Sequence, residues 1–188
     1  MTLVNKAIFL DRDGVINKDL GYVYRVDDLV FLPRALDAIR LFTESGYLII
    51  VVTNQSGISR GYYSYDDFRV LTEYILSQVE SAGGRILETF YCPHYYDGVV
   101  TELATQCDCR KPAPGMIFQA RDKYSIDLKR SFLIGDKTTD IKAANLAGVG
   151  KAYLISEGAR GLSGQSIMSV DVAKIFPSLW NCALDILS

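Results

Sequence analysis

Short apolar runs alternate with amphipathic stretches along the chain, and that alternation predicts the fold class. Ala7-Ile8-Phe9-Leu10 is a strand candidate ending at Asp11. Pro33 is placed as the first residue of a helix in which Ala35, Ala38, Ile39 and Phe42 recur at helical spacing until Gly46 stops it. Leu48-Ile49-Ile50-Val51-Val52 is apolar at every position, as a parallel strand covered on both faces tends to be. Ser64 with Asp67 three residues on forms a capping-box pattern, and Phe68, Leu71, Ile75 and Val79 carry the apolar stripe onward. Residues 87–91 read as a third strand, 115–124 as a helix and 132–134 as a strand. Residues 139–147 read as a helix closed by Gly148, and 151–155 as the final strand. Repeated strand–helix alternation predicts an α/β fold: a three-layer, Rossmann-like parallel sheet with helices on both faces. Such sheets bind ligands at the carboxyl ends of their strands. No repeat or linker-like stretch divides the 188 residues, so one domain spanning 1–188 is expected, with 158–165 reading as a flexible loop.

Composition narrows the function classes. A hydrophobic fraction of 49% is ample for a core and excludes disorder. Twenty Lys and Arg against 22 Asp and Glu leave a net charge of −2, which argues against a protein that coats nucleic acid or an acidic membrane. The longest aliphatic run, Leu48 to Val52, has five residues, far short of the ~20 a spanning helix needs. The N-terminus lacks the apolar stretch of a signal peptide. A cytoplasmic location is therefore expected, where four cysteines suggest metal or catalysis before disulfides. With no coiled-coil pattern, a monomer is expected.

The polar residues that follow the strands suggest phosphate chemistry. Asp11 and Asp13, with Gly14 after them, point the same way in an extended segment and can converge on one ligand. Their mutual repulsion favours a bound cation or a shared proton. Thr53-Asn54 end the second strand with a hydroxyl and an amide, and Arg110-Lys111-Pro112 supply two cations suited to phosphate oxygens. Gly135-Asp136 end the fourth strand, with Lys137 beside them and Asp140 further on. Hard oxygen ligands from Asp11, Asp13 and Asp136 suit Mg²⁺, which teams a few carboxylates with water and phosphate.

A second cluster suits a softer metal. Cys92-Pro93-His94 is separated by twelve residues from Cys107-Asp108-Cys109, and His94 is the chain's one histidine. Cys92, His94, Cys107 and Cys109 form a Cys₃His set, an established structural zinc site with no position open to substrate. A disulfide between Cys107 and Cys109 would close a strained small ring. Zinc would fix the loop over residues 92–109, and with it Arg110 and Lys111 immediately after the last ligand. Cys182, near Trp180 and Leu184, reads as a buried apolar residue.

Taken in order, Phe9-Leu10-Asp11-Arg12-Asp13-Gly14-Val15, Thr53-Asn54, Lys111 and Gly135-Asp136-Lys137-Thr138-Thr139-Asp140 resemble the four motifs of haloacid-dehalogenase-type phosphatases. Val15 stands where that superfamily often carries Thr. The resemblance implies Asp11 as nucleophile, forming an aspartyl-phosphate, and Asp13 as general acid and base, with Mg²⁺, Thr53 and Lys111 stabilising the phosphoryl oxygens. The segments after Gly14 and Tyr91 are short, so no large cap domain is expected. The form Cys-Pro-His…Cys-x-Cys-Arg-Lys-Pro is similar to a narrow group within the superfamily, the heptose bisphosphate 7-phosphatases and the histidinol-phosphate phosphatases. The loop Val52-Thr53-Asn54-Gln55-Ser56-Gly57-Ile58-Ser59-Arg60-Gly61 and the Gly21-Tyr22-Val23 stretch resemble the heptose enzymes. Histidinol phosphatases more typically read Gln-Asp-Gly at Gln55-Ser56-Gly57. The resemblance then implies substrate contacts from Asp19, Leu20, Gly21, Tyr22, Thr53, Asn54, Gln55, Ser56, Arg110, Lys111 and Lys137. Arg110 would grip the phosphate that is retained, while Asp19, Tyr22 and Gln55 would read sugar hydroxyls. The competing expectations are a histidinol-phosphate phosphatase and a non-catalytic zinc-organised interaction module. A zinc-finger nucleic-acid binder fits less well, for want of a basic stripe.

Overall fold

Alternating side chains on short apolar strands supply two opposite hydrophobic faces, and the fold uses both. The computed structural model describes residues 4–156 and 171–188; the loop expected over 158–165 lies outside them. Six strands, β1 (Ala7–Leu10), β2 (Leu48–Asn54), β3 (Ile86–Cys92), β4 (Phe132–Gly135), β5 (Lys151–Ile155) and β6 (Lys174–Phe176), form one sheet in the order β3-β2-β1-β4-β5-β6. Every ladder is parallel. On β1, Ile8 and Leu10 face one layer, where they join Ala38, Ile39 and Phe42 of α1 (Ala35–Glu44), Leu71 and Ile75 of α2 (Tyr65–Ser81), and Cys182 and Ala183 of α5 (Leu179–Leu187). Ala7 and Phe9 face the other layer, against Met116 and Ile117 of α3 (Gly115–Tyr124) and Ile141 and Ala144 of α4 (Thr138–Ala147). All four β1 residues are fully buried, each larger side chain contributing roughly 1.5–3 kcal/mol of hydrophobic stabilisation.

Two sequence expectations are corrected. Residues 151–155 are not the final strand: β6 pairs beyond β5, with Tyr153 opposite Lys174, and is too short at an edge to show a hydrophobic pattern. Pro33 does not open α1. Arg34 is the N-cap in a left-handed conformation (φ 59°) and breaks the helix there, with its guanidinium 3.3 Å from the centre of the Trp180 ring. The capping box at Ser64 and Asp67 forms as expected, each group accepting the other's backbone N–H.

Strand order reverses at β1, which sits between β2 and β4. A crevice opens at such a switch point beyond the carboxyl ends of the strands. Asp11, Thr53 and Asp136 are the residues that emerge there.

Candidate active site

The crevice gathers charge that the core excludes. Asp11 follows β1, with its backbone N–H on the Ile134 carbonyl at 3.0 Å. Lys111, fully enclosed, sets its ammonium 3.0 Å from Asp11 Oδ1 and 2.6 Å from Asp140 Oδ1, and donates to the Val52 carbonyl at 2.7 Å. Burial alone would lower the Lys111 pKa; the two carboxylates outweigh it and hold the pKa up, so the group stays charged. Burial raises Asp11, a rise that Lys111 opposes.

Carboxylate oxygens of Asp11, Asp136 and Asp140 lie within 4.8 Å of one another. Asp136 Oδ1 is buried with no hydrogen-bond partner, and burial, with Asp11 next in weight, pushes that carboxyl up to about 7. An unpartnered buried oxygen among close like charges is the donor set a small hard cation would satisfy. Lys111 occupies the Asp11–Asp140 side, leaving Asp11 and Asp136 as the open pair. Gly14, at φ +86°, permits this approach: a Cβ there would lie 2.2 Å from Asp136 Oδ2.

The structure separates Asp13 from that cluster. Its carboxylate accepts from Arg12 (Nη2 at 2.8 and 3.0 Å, Nε at 3.1 Å), Asn17 Nδ2 at 2.9 Å and Gln55 Nε2 at 3.2 Å. That carboxylate therefore lies outside the cluster of Asp11, Asp136 and Asp140, the last of them four residues beyond Asp136 on the first turn of α4. Two expected substrate contacts also turn inward. Asn54 accepts the Lys111 N–H and donates to the Lys111 carbonyl, both at 3.0 Å, so it aligns Lys111. Gln55 is buried, with its amide shared among Asp13, Thr53 and Tyr63 and its backbone N–H on the Cys92 carbonyl. Beyond these bonds Asn54 keeps one N–H and one oxygen lone pair, and Gln55 one oxygen lone pair.

Leu20, Gly21 and Tyr22 form an exposed loop in which Tyr22 (φ 56°) meets Tyr62 edge-on at 4.8 Å. Asp19 pairs with Lys137 Nζ at 2.8 Å, and Ser56 is buried at the start of the following turn. A cavity of about 800 Å³ adjoins Gly14 and Asp136 and is lined by Lys18, Asp19 and Leu20 on one side and by Arg34 and Asn181 on the other.

At the far end of β2 and β3, the expected metal quartet converges. Cys92 Sγ lies 3.6 Å from His94 Nδ1 and 3.5 Å from Cys107 Sγ, while Cys109 Sγ lies 3.3 Å from both His94 Nδ1 and Cys107 Sγ. Zinc bonds of about 2.3 Å to sulfur and 2.0 Å to nitrogen in a tetrahedron need donors roughly 3.5–3.8 Å apart. The quartet comes within about 0.5 Å of that spacing, Cys109 being drawn slightly closer to its partners, and His94 presents Nδ1. Arg110 folds back on this cluster, donating to the His94 carbonyl at 3.3 Å and lying 5.2 Å from the centre of the Tyr95 ring.

Sequence reasoning missed Arg12, Asn17 and Tyr63, which surround Asp13 and Gln55. Asn17 carries a faint signal, four residues beyond Asp13 in a turn; Tyr63 carries none.

A family model described as HAD-hydrolase-like matches residues 108–179. D-glycero-alpha-D-manno-heptose-1,7-bisphosphate 7-phosphatase of Photorhabdus laumondii is 47% identical over 153 residues, covering 81% of this chain and 84% of that protein. The D-glycero-beta-D-manno-heptose-1,7-bisphosphate 7-phosphatase of Escherichia coli K12 is 44% identical over 152 residues, covering 81% and 80%. The chain belongs to the heptose-1,7-bisphosphate 7-phosphatase family. A crystal structure of the D,D-heptose 1,7-bisphosphate phosphatase from B. bronchiseptica, complexed with magnesium and phosphate, matches with a TM-score of 0.83 at 30% identity. It covers 97% of this chain and 98% of that one. The family's haloacid-dehalogenase-like fold agrees with the strand order and with the position of Asp11 at the switch point.

Proposed function

We propose that the chain hydrolyses the 7-phosphate of D-glycero-D-manno-heptose 1,7-bisphosphate, releasing heptose 1-phosphate for nucleotide-activated heptose synthesis. One observation carries the chemistry: a buried Lys111 bridging Asp11 and Asp140, beside an Asp136 oxygen with no partner. The family's named activity supplies the substrate, and the cavity beside Gly14 and Asp136 is of ligand size.

In this reading the Asp11 carboxylate attacks phosphorus in line, the bond from phosphorus to the C7 oxygen breaks, and Asp13 gives that oxygen its proton. Asp13 then takes a proton from the water that cleaves the aspartyl-phosphate. Lys111 holds Asp11 in place by an ion pair and offsets the growing charge. Thr53 Oγ1 accepts from Gln55 at 2.8 Å, which leaves its own proton to donate to a phosphoryl oxygen. Arg110 and Lys137 are the cations assigned to the phosphate that stays. Magnesium, held by Asp11 and Asp136, would supply positive charge to the phosphoryl oxygens. Zinc, held by Cys92, His94, Cys107 and Cys109, would tie the loop to β3 and so set the position of Arg110 and Lys111. Four free thiols suit a reducing compartment such as the cytoplasm, and the chain acts as a single-domain monomer. Among the described residues, no helix is long and apolar enough to cross a membrane.

Regiochemistry tests the proposal. By ³¹P NMR, the C7 monoester signal is expected to disappear while the anomeric phosphate persists; loss of the anomeric signal first would overturn it.

A further inference from the structure

Gln55 joins the two groups on which the proposed proton and phosphoryl steps rest. Its Nε2 donates to Thr53 Oγ1 at 2.8 Å and to Asp13 Oδ2 at 3.2 Å. The Asp13 oxygens already accept from Arg12 and Asn17, so they take the amide nitrogen of Gln55, and the amide oxygen faces away. That oxygen meets Tyr63, whose hydroxyl donates to Gln55 Oε1 at 2.5 Å. The phenol is itself well held. Its ring stacks on Tyr24 at 5.2 Å and 10°, it is buried, and it lies so close to Gly57 that a Cβ there would come 2.1 Å from the ring. Burial pushes the Tyr63 hydroxyl up to about 12, so it keeps its proton through the working range.

We propose that Tyr63 is a positioning residue for phosphoryl transfer: its hydroxyl locks the Gln55 amide in the one orientation that donates to both Asp13 and Thr53. The inference rests on the roles given above to Asp13 and Thr53. Without the hydroxyl, Gln55 Oε1 is a buried acceptor with no donor, and a half-turn of the amide would set that oxygen against the Asp13 carboxylate. The array is then no longer aligned in advance, which costs rate more than ground-state binding.

A double-mutant cycle tests this on the intact magnesium- and zinc-loaded protein. Tyr63→Phe, Gln55→Ala and the double variant are assayed with heptose 1,7-bisphosphate and, in parallel, with p-nitrophenyl phosphate, so that an error in the sugar assignment still leaves a rate to read. Tyr63→Phe is expected to lower kcat/KM for the sugar phosphate about tenfold in the parent background and less than twofold when Gln55 is already Ala. The loss falls on kcat, while inhibition by inorganic phosphate stays within twofold. With the aryl phosphate, whose leaving group departs without a proton, the loss is smaller because only the Thr53 alignment is affected. Equal losses in both backgrounds, or an unchanged kcat, would overturn the inference. If Gln55→Ala fails to fold, Gln55→Met fills the same volume and carries the cycle. Full activity in Asp13→Asn would instead defeat the underlying assignment of Asp13, a separate result.

Discussion

Replacing Lys111 with Met tests the electrostatic design of the site, because the ammonium is what allows two buried carboxylates to coexist. Its Nζ lies 3.0 Å from Asp11 and 2.6 Å from Asp140, and both carboxylates are buried. The two acids have oxygens no more than 4.8 Å apart. At an effective dielectric constant of about 20, two unit charges at that separation repel by about 3–4 kcal/mol. Breaking a buried ion pair by removing one partner costs about 3–5 kcal/mol. At about 2–4 °C per kcal/mol for a protein of this size, Lys111→Met is expected to lower Tm by about 6–20 °C. The deficit also depends on pH, with a definite sign. With the ammonium gone, the Asp11 carboxyl, already raised by burial, is pushed further above its unfolded value near 3.9, so the native state holds a proton that the unfolded chain releases. Stability then falls as pH rises, and the gap from the parent protein is small near pH 4 and largest near pH 8. Calorimetric melts of both proteins without magnesium, between pH 4.5 and 8, check this, and Asp140→Asn in the Lys111→Met background should recover part of the loss. A melting point within 2 °C of the parent at pH 8 would refute the reasoning.

Other consequences follow from the same geometry. Gly14→Ala drives a Cβ to 2.2 Å from Asp136 Oδ2, so the magnesium concentration for half-maximal rate should rise at least tenfold while the far-ultraviolet circular dichroism is unchanged. Because the Asp136 carboxyl stands at about 7, magnesium binding should release a proton below pH 7 and weaken as pH falls, which calorimetric titration in buffers of different ionisation enthalpy measures. Cys107→Ser should lose its zinc by elemental analysis and lower kcat/KM by at least tenfold, through the chain that runs from Cys109 into Arg110 and Lys111; zinc loss with unchanged kcat/KM would separate the metal from the site. Asp11→Asn should abolish turnover while the protein still melts cooperatively.

Legibility of the fold followed from how much of the chain is repetitive apolar structure. β1 and β2 read directly from the sequence because parallel strands buried on both faces are apolar at nearly every position, and α2 because its capping box and stripe are local. β6 was not legible: three residues at a sheet edge carry no period, and their pairing with β5 is a tertiary fact. Pro33 misled at α1 because the turn that precedes the helix is set by Arg34 and its contact with Trp180, about 146 residues away in the chain. In the site, residues at strand ends were recognisable by type. Which of them would turn inward was not, since Asn54 and Gln55 look like ligand-binding amides until their partners Lys111, Asp13 and Tyr63 are placed in space. Asp140 had a visible position four residues after Asp136, but its use as the second partner of Lys111 depends on α4 bringing it back under β4.

Phosphate release with magnesium, comparing D-glycero-D-manno-heptose 1,7-bisphosphate with histidinol phosphate and with Asp11→Asn as control, tests the central claim most directly. The account predicts a kcat/KM at least a hundredfold higher for the bisphosphate, with one equivalent of phosphate released and none from the Asp11→Asn protein. Preference for histidinol phosphate, or undiminished release by Asp11→Asn, would contradict it.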